Sequence, residues 1–154
     1  MAKTFTFAFI LSLFIFSCTQ KPTELEVNHY LSEETAQLNL PFSEAVRVGD
    51  MLYLSGQVGN KPGTLDLVEG GIEAEAKQVM ENIKTVLEAN GSSFDHAVKF
   101  TVFIDDIAQW SNFNKVYVEY FPNKKPARSA LGADGLALGA AVEVECIAYI
   151  PSKK

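Results

Sequence analysis

The spacing of hydrophobic residues changes several times along this chain, and the order of the changes limits the folds open to it. Apolar residues alternate with others at 97–104 and 142–150, which indicates strands. At 71–91 and 107–121 they recur every three or four residues, which indicates amphipathic helices. Strands and helices in this order predict an α+β domain in which two helices cover one face of a mixed β-sheet.

Two more strands are predicted before the first helix. The apolar runs Ala45–Val48 and Met51–Ser55 flank the pair Gly49-Asp50. Because glycine adopts turn conformations that are costly for other residues, this arrangement predicts a β-hairpin. A further strand at Ala127–Leu131 completes the order β-β-α-β-α-β-β. The uncovered face of such a sheet is expected to be buried between copies of the chain.

The acidic balance of the chain argues against a nucleic-acid partner. Its 154 residues carry a formal net charge of −6, whereas a nucleic-acid binder presents a basic surface to the phosphate backbone. The two histidines, His29 and His96, lie in a predicted linker and a predicted loop, and no metal-ligand spacing is visible. Cys146 stands in an alternating apolar run, where a small buried hydrophobe is the favoured interpretation.

The N-terminal segment has the layout of an export signal. A single cation, Lys3, precedes the apolar run Phe5–Phe16, which is shorter than the roughly 20 residues of a membrane-spanning helix. The next residues complete the sequence Ile15-Phe16-Ser17-Cys18. This sequence resembles the lipobox of bacterial lipoproteins, in which the cysteine is lipidated and becomes the first residue of the mature protein.

Three regions follow from that interpretation. Residues 1–17 are predicted to be a lipoprotein signal peptide, residues 18–39 the lipidated Cys18 and a polar tether, and residues 40–151 the folded domain. The lipid would anchor an exported protein to a bacterial membrane on its periplasmic side. Ordinary secretion, with Cys18 incidental, is the alternative interpretation.

Arg128 and Glu145 are the candidate catalytic residues. Glu145 shares one side of its strand with the apolar Ile147 and Tyr149, so its carboxylate is expected at a half-buried border. Arg128 begins the preceding strand, and an arginine binds a carboxylate through two parallel hydrogen bonds. We expect the two strands to be neighbours and the two side chains to converge on one pocket for a small anion. A structural salt bridge between the two side chains explains the pair equally well.

Several short blocks occur in order between residues 40 and 150. They are Leu54–Gln57, Asn90–Ser92, Lys99–Phe103, Phe113–Tyr117 and the C-terminal pair Pro126–Ser129 and Val142–Ala148. In this order they resemble the RidA/YjgF family of reactive-intermediate deaminases. The resemblance implies a chorismate-mutase-like fold, a homotrimer with clefts between subunits, and hydrolysis of 2-imino acids or enamines to 2-keto acids and ammonia. It implies no metal and no organic cofactor.

The same resemblance implies roles for individual residues. It assigns the grip on the substrate carboxylate to Arg128 and the positioning of a water molecule to Glu145. The other residues that it implies for substrate binding are Ser55, Asn114, Phe42, Ser129 and Ala130.

Two of these residues depart from the family pattern. Phe42 stands where the family usually has tyrosine, and Ala130 stands where it often has cysteine. These departures favour a second hypothesis, a non-catalytic protein that binds a small carboxylate or a signalling partner on the same scaffold. A third, endoribonuclease activity, fits the acidic composition least well.

Overall fold

The computed structural model describes residues 24–152. The predicted signal peptide and the lipidation site Cys18 therefore lie outside the described residues. Within residues 24–152, no helix combines the length and the apolar character needed to cross a bilayer.

A six-stranded mixed sheet forms the centre of the molecule, with the strand order β1-β2-β3-β6-β4-β5. The strands are β1 (Val27–Tyr30), β2 (Ala45–Val48), β3 (Met51–Val58), β4 (Ala97–Ile104), β5 (Ala127–Gly132) and β6 (Val142–Tyr149). All neighbouring strands run antiparallel except β4 and β5, which run parallel. The predicted α+β class with a mixed sheet is confirmed.

Two long helical segments pack on one face of this sheet. The α-helices within residues 24–152 are α1 (Glu33–Ala36), α2 (Gly71–Ala89) and α3 (Trp110–Tyr117). The apolar stripe of α2 is buried together with Phe113 and Tyr117 of α3 and with the inward residues of the strands, such as Leu52, Phe100 and Val144. The sheet residues Tyr53, Leu131 and Tyr149 are exposed, so the other face of the sheet is open in the single chain.

The first strand was not predicted. β1 arises within residues 18–39, the segment expected to be a tether, and it pairs along β2 with Val27 opposite Val48 and Tyr30 opposite Ala45. Its own sequence contains two polar residues and shows no clear alternation, so pairing with the edge of β2 decides its conformation. The boundary predicted at residue 40 consequently lies inside the ordered domain.

One residue of β4 also differs from the predicted pattern. The alternation predicted for 97–104 would put Val98 on the buried face with Phe100, but Val98 is exposed. The pairing of β4 with β6 shifts register between Ala97 and Lys99. A bulge of this kind turns the side chains before it away from the regular alternation.

Candidate functional site

Arg128 lies on the helix-covered side of the edge strand β5. It pairs with Phe100 of β4, whose side chain is fully buried in the core. Its guanidinium carbon is 4.5 Å from the ring centroid of Tyr117, 4.8 Å from that of Trp110 and 5.8 Å from that of Phe113. A cation over an aromatic face gains about 0.5–2 kcal/mol, so these rings hold the guanidinium in place.

The sequence produces this aromatic support through helical spacing. Trp110, Phe113 and Tyr117 are separated by three and four residues on α3, so their side chains lie along one face of that helix. Burial raises the pKa of Tyr117 to about 12, while the nearby charge of Arg128 opposes that rise. Tyr117 is therefore neutral at physiological pH and supports the guanidinium through its ring.

The guanidinium of Arg128 makes no hydrogen bond or ion pair with any residue in the described range 24–152. A guanidinium carries five N–H donors, and here they are available to a ligand. The structural salt bridge with Glu145, which the sequence left open, does not form within the chain.

Glu145 lies on the opposite, open face of the sheet. It pairs with Thr101 of β4 and is exposed. Because β4 lies between β5 and β6, the strands that carry Arg128 and Glu145 are not neighbours. The expectation that these two strands are neighbours is therefore wrong, since spacing along the sequence does not reveal that β4 is inserted between them. Within one chain the two side chains lie on opposite faces of the sheet.

A cavity of about 760 Å³ opens beside Glu145. Its floor is the second half of β3, residues 55–58, which continues past the last residue that pairs with β2. The segment 30–44 and the turn at 62–65 form much of its wall. Three of the predicted site residues, Phe42, Ser55 and Glu145, line this cavity.

Five glutamates line the cavity: Glu33, Glu34, Glu44, Glu143 and Glu145. Burial, and then the charge of Glu145, raise the pKa of the Glu143 carboxyl. The carboxylate of Glu143 lies against Gly56, where a Cβ atom would overlap it. This end of the cavity is accordingly acidic, and it contains one carboxyl group that holds its proton more firmly than usual.

Glu44 has a structural task in the cavity wall. Its carboxylate accepts hydrogen bonds from the backbone N–H of Ser32 at 2.6 Å and from the hydroxyl of Thr35 at 2.9 Å. Ser32 in turn caps α1 by accepting a hydrogen bond from the N–H of Thr35. Glu44 thus ties the short helix α1 to the start of β2 and shapes this side of the cavity.

The remaining predicted residues divide between the two faces of the sheet. The hydroxyl of Ser55 donates to the backbone oxygen of Ser43 at 2.7 Å, so it stabilises the wall of the cavity. Ser129 accepts a hydrogen bond from the Lys99 ammonium at 2.9 Å. Ala130 pairs with the buried Val102 on the side of the sheet that carries Arg128.

Asn114 lies on α3, the helix that also carries the aromatic support of Arg128. Its side-chain oxygen and the hydroxyl of Tyr117 are buried without a hydrogen-bond partner in the described part of the chain. Buried polar atoms are nearly always paired, so these two atoms mark a place where a further polar group belongs.

Two residues of the cavity were missed from the sequence. Glu143 precedes Glu145 by two residues on one strand, and this alternation was sufficient to put both on one face. Leu138 lines the cavity from the segment before β6, and no periodic pattern marked it. Residues 24–152 contain no group of three or more histidine, cysteine, aspartate or glutamate side chains arranged to hold a metal ion.

Comparison with known proteins identifies the family. The model of the family described as endoribonuclease L-PSP matches residues 34–150. The human protein named 2-iminobutanoate/2-iminopropanoate deaminase is 40% identical over 108 residues, which cover 70% of this chain and 79% of that protein. A RutC family protein of Pyrococcus horikoshii is 40% identical over 109 residues, 71% of this chain and 86% of its own length.

Solved structures agree with these matches. RidA from an Antarctic Psychrobacter bacterium superimposes with a TM-score of 0.69 at 42% identity, covering 72% of this chain and 89% of that one. Yeast Mmf1 superimposes with a TM-score of 0.74 at 33% identity, covering 82% of this chain and all of its own. The chain belongs to the endoribonuclease L-PSP family, which is the RidA/YjgF family that its sequence blocks resemble.

Proposed function

We propose that this protein hydrolyses reactive 2-imino acids to 2-keto acids and ammonia, in a cleft between the protomers of a homotrimer. Arg128 of one protomer binds the substrate carboxylate, and Glu145 of another holds the attacking water. The observation that carries the proposal is the guanidinium of Arg128, which is supported on three aromatic rings and free of any protein acceptor within residues 24–152. The deaminase names of relatives at 40–44% identity support it.

The arrangement of the two faces of the sheet supports association between copies. Arg128 and Glu145 belong to opposite faces of one chain, so a single site can use both only if they come from different protomers. The open face exposes Tyr53, Leu131 and Tyr149, and β5 is an edge strand. Exposed apolar surface and an unpaired edge both favour burial against another copy.

The reaction needs little more than alignment of its components. Water at Glu145 attacks the imine carbon, a C–O bond forms, and the π electrons move to nitrogen, which takes up the proton that the water loses through the Glu145 carboxylate. In the resulting carbinolamine the hydroxyl proton passes through a carboxylate to the amino nitrogen, the C–N bond breaks as the C=O bond forms, and ammonia leaves. Imine and water thus give keto acid and ammonia. Holding substrate and water side by side supplies much of the acceleration.

Ribonuclease activity fits this cavity poorly. Glu44, Glu143 and Glu145 line it, and carboxylates repel the phosphate groups of an RNA backbone. A non-catalytic binding protein for small carboxylates uses the same Arg128 contact. It would bind 2-keto acids and show no turnover of imines.

Activity is tested with 2-iminopropanoate generated in situ. We expect the wild-type protein to accelerate its hydrolysis and Arg128→Ala to remove most of that acceleration. Equal rates for the two proteins would contradict the proposal. Binding of pyruvate without any turnover would establish the non-catalytic alternative instead.

A site shared between protomers is tested by mixing two inactive variants. Arg128→Ala and Glu145→Gln are coexpressed with different affinity tags, and the mixed assemblies are purified through both tags. In a mixed cyclic trimer of either composition, one of the three clefts, about one third, receives an intact arginine and an intact glutamate. Activity near that fraction of wild type is expected, whereas sites contained within single chains would give none.

We further propose export and lipid anchoring of the protein. The residues Ile15-Phe16-Ser17-Cys18 that suggest it precede the part matched by the family model, which begins at residue 34. Labelled palmitate should be incorporated by the wild-type chain in a bacterial host and not by Cys18→Ser. Equal incorporation, or none in either chain, would contradict the anchor.

A further inference from the structure

We propose that the preferred substrates are 2-imino acids with a branched or aromatic apolar side chain, and that Leu138 is a wall residue which selects them. The inference rests on the proposed deaminase function and names its substrate class. It arises from the size of the cavity, from the composition of its wall and from the backbone conformation of Leu138.

The cavity is too large for the smallest imino acids. 2-Iminopropanoate has six heavy atoms, and these fill at most about 180 Å³ even if each takes the volume of a liquid water molecule, about 30 Å³. The cavity measures about 760 Å³, within the range of about 300–1,000 Å³ typical of sites for much larger ligands. In the proposed trimer a neighbour brings Arg128 to the mouth of this cavity, and the part that the neighbour does not fill is open to a substrate side chain.

Several large apolar side chains contribute to the wall of the cavity. Leu38, Leu40, Phe42, Leu65 and Leu138 all line the cavity. Three of them remain substantially exposed in the single chain: Phe42 at 46%, Leu65 at 46% and Leu138 at 51%. A concavity that combines large apolar side chains with polar groups is typical of a site that binds an amphipathic small molecule.

Leu138 has an unfavourable backbone conformation for its residue type. Its φ is 60° and its ψ is 8°, the left-handed region that strains a residue with a branched side chain and favours glycine or asparagine. Its side chain is half-exposed, so packing within the chain does not offset that strain. Residues that break local rules in this way concentrate at functional sites.

The segment that carries Leu138 is anchored firmly at its far end. The backbone N–H of Ala141 donates to the buried carboxylate of Glu75 at 2.8 Å. Gly139 and Ala140 close tight turns through hydrogen bonds to Leu136 and Ala137. The segment is therefore a fixed part of the wall that presents Leu138 to the cavity.

The test compares two substrates that differ only in side chain. The imines of leucine and alanine, generated in situ by an amino-acid oxidase, present an isobutyl and a methyl group. Each buried methylene is worth about fourfold in affinity, and isobutyl exceeds methyl by three such groups, so the wild-type protein is expected to prefer the isobutyl substrate by up to about 60-fold in kcat/KM. Leu138→Asn is expected to reduce this ratio about fivefold.

The variant is chosen so that it remains folded. Asparagine tolerates the left-handed conformation better than leucine does, so the thermal stability of Leu138→Asn should equal or exceed that of wild type. Val118→Asn is the matched control, since Val118 is equally exposed and does not line the cavity. Val118→Asn should leave the substrate ratio unchanged.

Failure of this inference is distinguishable from failure of the proposed function. Equal or faster turnover of the methyl substrate would overturn the preference and leave the deaminase proposal standing. If neither imine is hydrolysed, the deaminase proposal fails, and calorimetric titration with 4-methyl-2-oxopentanoate and pyruvate decides the preference. Tighter binding of the isobutyl keto acid supports it, and equal binding overturns it.

Discussion

The guanidinium carbon of Arg128 lies 4.5 Å from the ring centroid of Tyr117, and no carboxylate within residues 24–152 pairs with it. The charge is thus positioned by aromatic rings, which attract it without occupying its N–H donors. An ion pair would orient the group as well, but it would have to be broken for a substrate to bind.

Tyr117 is expected to act through its ring and not through its hydroxyl. The hydroxyl is buried without a partner in the described part of the chain, so Tyr117→Phe should leave stability unchanged or raise it by up to about 1 kcal/mol. Tyr117→Leu removes the cation–π contact and should raise KM about three- to tenfold. Urea unfolding and steady-state kinetics measure the two effects. A large loss of kcat in Tyr117→Phe would show that the hydroxyl takes part in the reaction.

Arg128→Lys is expected to retain the charge and lose the function. Lysine cannot form two parallel hydrogen bonds to a carboxylate, and such charge-assisted bonds contribute about 1.5–3 kcal/mol. The kcat/KM for 2-iminopropanoate should fall about 10- to 100-fold, chiefly through KM. Lys99→Arg on the neighbouring strand is a control for a change of cation type. Wild-type kinetics in Arg128→Lys would mean that charge alone attracts the substrate.

The sequence was sufficient to predict most of the elements of the fold. The helix expected at 71–91 is observed at Gly71–Ala89, and β4 matches its predicted range, because both segments carry strong periodic patterns. β1 was missed because its residues Val27–Tyr30 are held by pairing with β2 and carry little pattern of their own.

The candidate site was predictable in its members more than in its arrangement. The sequence blocks identified Arg128 and Glu145. The alternation of apolar residues predicted which side chains of each strand share a face. The positions of these strands in the sheet depend on long-range pairing, in which β4 separates β5 from β6, and no local pattern encodes it. The same limit applies to Leu138, whose conformation arises in a segment without periodicity.

The raised pKa of Glu143 predicts a pH-dependent effect of its replacement. At pH values below the ordinary pKa of a glutamate, the Glu143 carboxyl is protonated in both the folded and the unfolded chain, so it carries no charge that could affect stability. As pH rises, the unfolded chain loses this proton first, because burial and then the charge of Glu145 raise the folded-state pKa. The ionised group therefore destabilises the fold above its raised pKa.

Glu143→Gln should consequently raise the melting temperature at pH 7 and have no effect near pH 4. Thermal unfolding of both proteins across this range measures the difference. Glu119→Gln, a replacement away from the cavity, controls for the change in net charge. A stabilisation that is equally large at pH 4 would show that removal of the charge is not its cause.

Two glycines of the β3 region are expected to respond differently to a methyl group. At Gly59 a Cβ atom would lie 2.8 Å from the backbone Cα of Glu75 in α2. The helix would have to move, so Gly59→Ala should lose about 1–3 kcal/mol of stability, the usual effect of overpacking.

At Gly56 the obstacle is the flexible end of the Glu143 side chain, which can rotate away. The free energy of unfolding of Gly56→Ala should therefore lie within about 1 kcal/mol of the wild-type value. Because the new methyl group displaces the Glu143 carboxylate in the cavity, the substitution should instead change the kinetics. Urea unfolding compares the two variants, and an equal loss of stability in both would mean that the carboxylate of Glu143 is held as rigidly as the helix backbone.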